Sequence, residues 1–376
     1  MGHEALFHAW CLGIRTVFTE HSLLGFADAS SVLMNNLLLK YSLSNVDRII
    51  CVSHTSRENT VLRARLSPSR VFVIPNAINT HLFRPDARQF IENPTTIVVI
   101  CRLVYRKGVD LLVDVIPNIC RRHPKVRFLI GGDGPKRVEL EEMRERYKLH
   151  SRVLMLGILP HTKVRDVLVQ GQIFFNTSLT EAFGMSIVEA ASCGYEQQFF
   201  LILFFLVLGE DLGDGWLAHF LLTEHLHLFV DLMIFYLYVV STRVGGIPEV
   251  LPAEMLSLCE PNPEDLSRAL SKAILRRENC LADDAQKENP LARHETVSKM
   301  YRWADIANRT EAVYRVALAD SPVSVWQRLR NYTSAGFWFG LVWVWVAIIN
   351  IFMLKIFDIF DGGKVKTKNE RKKMCE

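Results

Sequence analysis

The sequence predicts an α/β protein built of two Rossmann-like units, the first smaller, followed by one transmembrane helix. Three observations predict it. Residues 95–320 alternate short β-branched runs with amphipathic stretches, the pattern of a parallel sheet wrapped by helices. Residues 15–74 repeat the alternation on a smaller scale. Residues 335–354 form a 20-residue stretch without charge; at about 1.5 Å per helical residue it spans about 30 Å of hydrocarbon.

In the first unit, strands are predicted at 15–19, 48–52 and 71–74, with helices at 27–41 and 53–65. In the second, strands are predicted at 96–101, 126–131, 153–156, 173–176 and 239–242. The helices between them are placed at 108–122, 135–147, 161–170 and 183–193, with two more at 266–277 and 297–318. The stretch 75–94, rich in turn residues and without periodicity, joins the units. These readings divide the chain into a first domain at 1–85, a second at 86–320, a membrane helix at 335–357 and a basic tail at 358–376.

One segment breaks the scheme. Residues 195–238 hold no Lys or Arg and six acids, Glu196, Glu210, Asp211, Asp214, Glu224 and Asp231. A connection between a helix and a strand usually takes about 2–6 residues, so this is an insertion, predicted to form a poorly packed hydrophobic hairpin. Its apolar pieces are too short or too acidic to span a membrane. His219, His225 and His227 within it lack a coherent metal-ligand spacing.

Composition excludes several classes. With 49% hydrophobic and 22% charged residues the chain is folded rather than disordered, and a net charge of +4 argues for no nucleic-acid partner. Eight cysteines without a CxxC pair fit a reducing compartment rather than a disulfide framework. No basic segment followed by an apolar core and a small-residue cleavage site opens the sequence, so no signal peptide is predicted.

The chemistry-bearing residues cluster at predicted strand ends. Glu181 and Glu189 stand where a strand-end loop turns into a helix, and the N–H groups of Phe183, Gly184 and Met185 open that helix toward an anionic or hydroxyl-rich ligand. Two glutamates alone are usually a solvated face; the small and apolar residues around them favour a site. Arg102 and Lys107 follow the first strand of the second unit and could neutralise a diphosphate, or form a basic surface turn. The turn Gly131-Gly132-Asp133-Gly134-Pro135 is of the kind that lets backbone approach a nucleotide, but it is not GxGxxG, which argues against an NAD-type enzyme. His21 lies at the end of the first strand, where a lone histidine is more often structural. No DxD pair is present to hold a divalent cation beside a nucleotide diphosphate, so no metal or other cofactor is expected.

Taken together, VIPNAIN, CRLVYRKGVDLL, IGGDGPKRVELEEMRERY, NTSLTEAFGMSIVEAASCG and VVSTRVGGIPEVLP resemble the retaining GT-B glycosyltransferases of family 4, over most of residues 1–318 apart from the insertion. The resemblance implies transfer of N-acetylglucosamine from UDP-GlcNAc to phosphatidylinositol. That reaction opens GPI-anchor synthesis, and the resemblance puts it in a multi-subunit complex on the cytosolic face of the endoplasmic reticulum. It implies Arg102 and Lys107 as the diphosphate clamp, and Glu189 as the carboxylate on the ribose hydroxyls. Glu181 and the backbone of Phe183 to Met185 become the donor-sugar contact, and His21 the first-domain histidine beside the transferred sugar. It also implies that the first domain is incomplete, lacking its opening strands and glycine-rich loop; the composition of the insertion suits translated non-coding sequence. A non-catalytic form retaining only donor binding or complex assembly is the alternative. The basic tail, with Lys364, Lys366, Lys368, Arg371, Lys372 and Lys373, would by the positive-inside rule stay cytosolic, against the luminal tail that the resemblance implies.

Overall fold

The computed structural model describes residues 2–23, 29–85, 95–194, 237–280, 290–333 and 336–360. The predicted insertion, apart from its last two residues, and the basic tail from residue 361 lie outside the described residues, as do His219, His225 and His227. The chain divides into two compact units, one formed by Met1–Ile74 with Ala307–Glu376, the other by Pro75–Ile306.

The first unit opens with helix α1 (Gly2–Cys11), which the sequence pattern does not predict. It continues through β1 (Val17–Glu20), α2 (Ala29–Leu43), β2 (Arg48–Cys51), α3 (His54–Ala64) and β3 (Val71–Val73). The strands are parallel in the order β1-β2-β3, with Val17 opposite Arg48 and Ile49 opposite Val71. Helical crossovers enforce that direction, because parallel neighbours cannot be joined by a tight turn. Ser53 starts α3 by accepting a 3.1 Å hydrogen bond from the Ser56 N–H, satisfying one of the helix's unpaired donors. Leu39, Leu43, Val46, Ile49, Cys51, Ala64, Leu66 and Val71 form the core between sheet and helices.

The second unit is a six-stranded parallel sheet. Its elements are β4 (Thr96–Ile100), α4 (Val109–Arg122), β5 (Arg127–Gly131), α5 (Arg137–Arg146), β6 (Val153–Gly157), α6 (His161–Leu168) and β7 (Ile173–Asn176). Then come α7 (Met185–Ser192), β8 (Tyr238–Thr242), β9 (Leu256–Cys259), α8 (Pro263–Cys280) and α9 (Pro290–Met300). Strand β9, only four residues long, was not anticipated. Most positions in β4, β5 and β7 are buried, which is why they read as continuous apolar runs rather than alternating ones. Ile97 and Val99 point into a core with Leu112, Val115, Ile116 and Ile119 of α4 and Leu266, Leu270 and Ile274 of α8. Val98 faces the other way, against Gly171 beyond the end of α6. Each such buried aliphatic side chain contributes about 1.5–3 kcal/mol.

The strand order is β6-β5-β4-β7-β8-β9. The chain starts at the centre, winds outward to β6, then returns to lay β7 beside β4, with Ile97 opposite Ile173. That reversal makes β4 and β7 the topological switch point, the place where ligands of doubly wound sheets sit beyond the strand carboxyl ends.

Residues 75–85, assigned to the first domain on sequence pattern, group with the second unit. Ser192 donates to the Phe83 carbonyl at 2.6 Å and Arg165 to the Arg84 carbonyl at 2.7 Å. The single helix predicted at 297–318 is two, α9 and α10 (Trp303–Ala319). The break is tertiary: Tyr301 is buried, its hydroxyl donates to the Val250 carbonyl, and its own carbonyl accepts from the Ile78 N–H at 3.1 Å. The division between units falls inside α10, whose residues from Ala307 return to the first unit.

There the chain forms the short helix α11 (Val325–Tyr332), not predicted from sequence, and the long helix α12 (Phe337–Phe360). Trp338–Phe357 of α12 is long and apolar enough to cross a membrane. It starts and ends three residues later than the charge-free run 335–354, because the helix continues through Lys355, whose stem can lie along apolar surface while its ammonium reaches water. One face of α12 packs on an aromatic cluster of Phe7, Trp10, Tyr41 and Tyr332, with the Trp343 and Tyr41 rings stacked at 3.7 Å between centroids. The opposite stripe, Trp338, Val342, Trp345, Ile349 and Phe352, is exposed.

Candidate functional site

The switch point gathers two loops, Cys101–Gly108 after β4 and Thr177–Gly184 after β7. They are sewn together by the backbone: Leu179 N–H donates to the Arg106 carbonyl at 2.9 Å, and Thr177 Oγ1 donates to the Lys107 carbonyl at 2.9 Å. The contact is so close that a Cβ at Gly108, whose φ is +68°, would lie 1.9 Å from the Thr177 carbonyl oxygen, so no other residue fits. In this frame Lys107 and Glu181, far apart in sequence, form an ion pair, each side chain about one-fifth exposed.

Glu181 is held from several sides. Gly246 N–H donates to its carbonyl at 2.9 Å, and Ser178 Oγ stands 3.5 Å from its carboxylate. Ser178 in turn donates to Asn176 Oδ1 at 3.0 Å, Asn176 donates to Ser241 Oγ at 2.9 Å, and Thr242 Oγ1 donates to the Ser178 carbonyl at 2.6 Å. This buried network ties the ends of β7 and β8 and fixes the loop carrying Glu181. Ser178, Ser241 and Thr242 escape a reading of the sequence because single hydroxyls at strand ends give no pattern.

Gly184, at φ +94°, precedes α7, whose first N–H groups have no intrahelical partner and carry the positive end of the helix dipole. Phe183 itself is core, its ring edge-on to Tyr301 at 5.5 Å, so only its backbone can face a ligand. Glu189 lies on α7 and is buried, 3.3 Å from His161 Nε2 at the start of α6. Burial pushes its carboxyl pKa up, and the hydrogen bond and charge of His161 oppose that. His161 was predicted only as a helix start, since nothing in the sequence connects it to Glu189.

Arg102 is exposed on the loop after β4. The turn after β5 packs against the loop that carries Arg102. A Cβ at Gly132, with φ +127°, would lie 1.8 Å from the Cys101 carbonyl oxygen, and Leu103 N–H donates to the Asp133 carbonyl at 2.9 Å. The glycine is there so that two loops can touch, and the turn buttresses the segment that carries Arg102.

His21 follows β1 in the first unit and is exposed, next to Glu20, whose carboxylate accepts a 2.8 Å bond from the Ser22 N–H. It belongs to a different unit from Arg102, Lys107, Glu181 and Glu189. Among the described residues no group of three or more His, Cys, Asp or Glu is placed to hold a metal ion.

A buried carboxylate, an ion pair and an open helix start, carried by α7 and the two loops at the switch point, suit a ligand with hydroxyls and a negative charge. Comparison with known proteins agrees on the fold and gives the family. The profile of Glycosyltransferase Family 4 matches residues 2–82, and that of Glycosyl transferases group 1 matches residues 84–195. Among solved structures, Anabaena HepE in complex with UDP superposes with a TM-score of 0.62 at 17% identity, covering 84% of this chain and 77% of that one. Sucrose-phosphate synthase from Thermosynechococcus elongatus superposes with a TM-score of 0.58 at 20% identity, covering 85% and 73%. These likenesses show the GT-B fold. A phosphatidylinositol N-acetylglucosaminyltransferase subunit of Arabidopsis thaliana is 46% identical over 357 residues, 95% of this chain and 68% of that protein. The human protein of the same name is 46% identical over 94% of this chain and 63% of its own length, and the gpi3 subunit of Schizosaccharomyces pombe is 44% identical over 95% and 67%. The chain thus spans roughly two thirds of the relatives it matches, and at these identities it belongs to the family of these phosphatidylinositol N-acetylglucosaminyltransferase subunits, which are GT-B glycosyltransferases.

Proposed function

We propose that this chain transfers N-acetylglucosamine from UDP-GlcNAc to phosphatidylinositol with retention of configuration, as the catalytic subunit of a multi-subunit complex that begins GPI-anchor biosynthesis. The observation that carries the reading is the Lys107–Glu181 pair at the switch point with Glu189 buried on the helix that follows. The names of the relatives support the substrate pair.

In this reading Glu189 accepts hydrogen bonds from the ribose hydroxyls; its buried carboxylate is costly without a partner, and two hydroxyl donors relieve that cost. Glu181, braced by Ser178 and Gly246, contacts the sugar hydroxyls with the N–H groups at Gly184 and Met185. Lys107, released from Glu181 as the sugar takes its place, joins Arg102 in meeting the diphosphate. The reaction leaves negative charge on UDP, so cations and a helix N-terminus fixed beside the phosphates lower the barrier. No metal is required by this scheme. His21, from the first unit, is assigned a place beside the transferred sugar. The span Trp338–Phe357 anchors the chain in the endoplasmic reticulum membrane, where the lipid acceptor resides, with the two parallel sheets on the cytosolic side.

The test is transfer of labelled GlcNAc from UDP-GlcNAc into lipid by membranes of cells that lack their own enzyme of this kind and express the full chain. Label in a phosphatidylinositol product supports the reading. UDP binding without label would assign the narrower role of a non-catalytic donor-binding protein, and absence of both would contradict it.

A further inference from the structure

Away from the switch point, the first unit holds a cavity of about 370 Å³ lined by Arg15, Arg48, Arg70 and Arg328 against only two acids, Asp47 and Asp320. It opens at the amino ends of β1 and β2, the end of the sheet opposite to His21, and none of its lining residues belongs to the proposed reacting centre. Its acids are already engaged. Asp47 is buried and paired with Arg15 at 2.7 Å, and it accepts the Thr16 N–H at 2.8 Å; Asp320 pairs with Arg48. Arg70 is spent on the carbonyls of Leu43, Ser44 and Val46.

Arg328 is the least completely engaged of the four: its guanidinium lies 5.9 Å from the Trp10 ring centroid and pairs only loosely with Asp47. It is only 6% exposed, its Nη1 has no hydrogen-bond partner among the described residues, and its nearest acid oxygen, on Asp47, is 3.8 Å away. Arg48 Nε is likewise buried without a partner among them. A buried guanidinium N–H left unpaired is costly, so the cavity is short of an anion. Arg70 senses the same excess: burial holds it below the usual arginine range, Asp47 opposes this, and Arg48 and Arg328 add to it.

The cavity also lies beside the membrane helix. Gln327, Arg328 and Asn331 reach it from α11, which leads into α12 across a short turn, and Asn45 bolts α11 to the rim by donating to the Arg328 carbonyl at 3.0 Å. Beside these residues Trp326 is 82% exposed, with Val323 and Val325 also exposed, an apolar fringe of the kind that rests at a lipid–water interface.

We propose that this cavity binds the phosphate of an anionic phospholipid headgroup, with Arg328 and Arg48 donating to the phosphate oxygens and the acyl chains lying along Trp326 and α12. The site recognises the phosphate and its net charge, and it is independent of the acceptor assigned above. Phosphatidylglycerol, which carries no inositol, therefore tests it without engaging the transfer reaction.

The experiment measures thermal stability of the purified full chain in nanodiscs, and binding of short-chain phosphatidylglycerol in neutral detergent. Phosphatidylglycerol raises the melting temperature, whereas phosphatidylcholine and inorganic phosphate at the same concentration do not. Arg328→Gln weakens binding by about tenfold or more, as loss of a charged hydrogen bond does, and Arg328→Lys retains most of it. Should Arg328→Gln not fold, Arg48→Gln carries the test with the same expected direction. Equal stabilisation by phosphatidylcholine, saturation by inorganic phosphate alone, or undiminished binding by the foldable variant would overturn the proposal.

Discussion

His161 and Glu189 meet at 3.3 Å, the one at the exposed start of α6 and the other buried on α7. The histidine is the polar partner that the buried carboxylate has here, and burial still dominates, raising the Glu189 pKa. The folded protein therefore holds the Glu189 proton more tightly than the unfolded chain does. Between the ordinary carboxylate pKa and the raised one, the native state binds more protons, so stability falls as pH rises through that window and stays at the lower value above it.

Glu189→Gln removes this penalty. Without ligand the variant melts higher than the wild type at neutral pH, by roughly a few degrees, and the difference shrinks as pH falls through the carboxylate range. Calorimetric melting across pH checks both the sign and the window.

Lys107→Ala and Glu181→Gln each break the ion pair at the switch point, yet their effects differ. In the proposed mechanism Lys107 meets charge that grows on the departing phosphate, so its loss lowers kcat by about 10²–10³-fold. Glu181→Gln keeps a hydrogen-bonding side chain at the sugar and acts on KM as well as kcat. Steady-state transfer kinetics in membranes expressing each variant separate the two.

Gly132→Ala tests the buttress. Its Cβ would fall 1.8 Å from a backbone oxygen at φ +127°, and backbone cannot swing aside as a flexible side chain can. The variant loses at least about 2 kcal/mol of stability, read from denaturant midpoints, and its UDP affinity falls too, because the displaced segment carries Arg102.

Two tryptophans of α12 separate its packed face from its exposed stripe. Trp343→Ala removes the stack on Tyr41 and, because the ring is only partly buried, costs less than the about 3–5 kcal/mol of a fully buried aromatic truncation. Trp345→Ala, on the exposed stripe, leaves the melting temperature of the detergent-solubilised protein nearly unchanged.

The legible part of this protein is the part with local pattern. Five of the six strands of the second sheet and the helices beside them follow from apolar runs and helical periodicity, as in Ile173–Asn176, where the predicted and observed bounds coincide. The break at Tyr301 is set by Val250 and Ile78, residues distant in sequence, and α1 and α11 are held by the mutual packing of Phe7, Trp10 and Tyr332, which no local window reports. The site divides the same way. Arg102, Lys107, Glu181 and Glu189 stand in recognisable strings. His161 reaches Glu189 only because α6 and α7 pack together, and the contact of Gly132 with Cys101 follows from β4 lying beside β5.

In the mechanism proposed above, the β4–β7 switch point binds the uridine diphosphate portion of the donor, with Glu189 on the ribose. Isothermal titration of UDP into the purified full chain and its Glu189→Ala variant tests it most directly. Saturable UDP binding by the wild type is expected, with affinity at least about tenfold weaker in the variant through loss of charge-assisted hydrogen bonds to the ribose. Equal affinity in the two proteins would remove Glu189 from the site and overturn the proposed mode of donor binding.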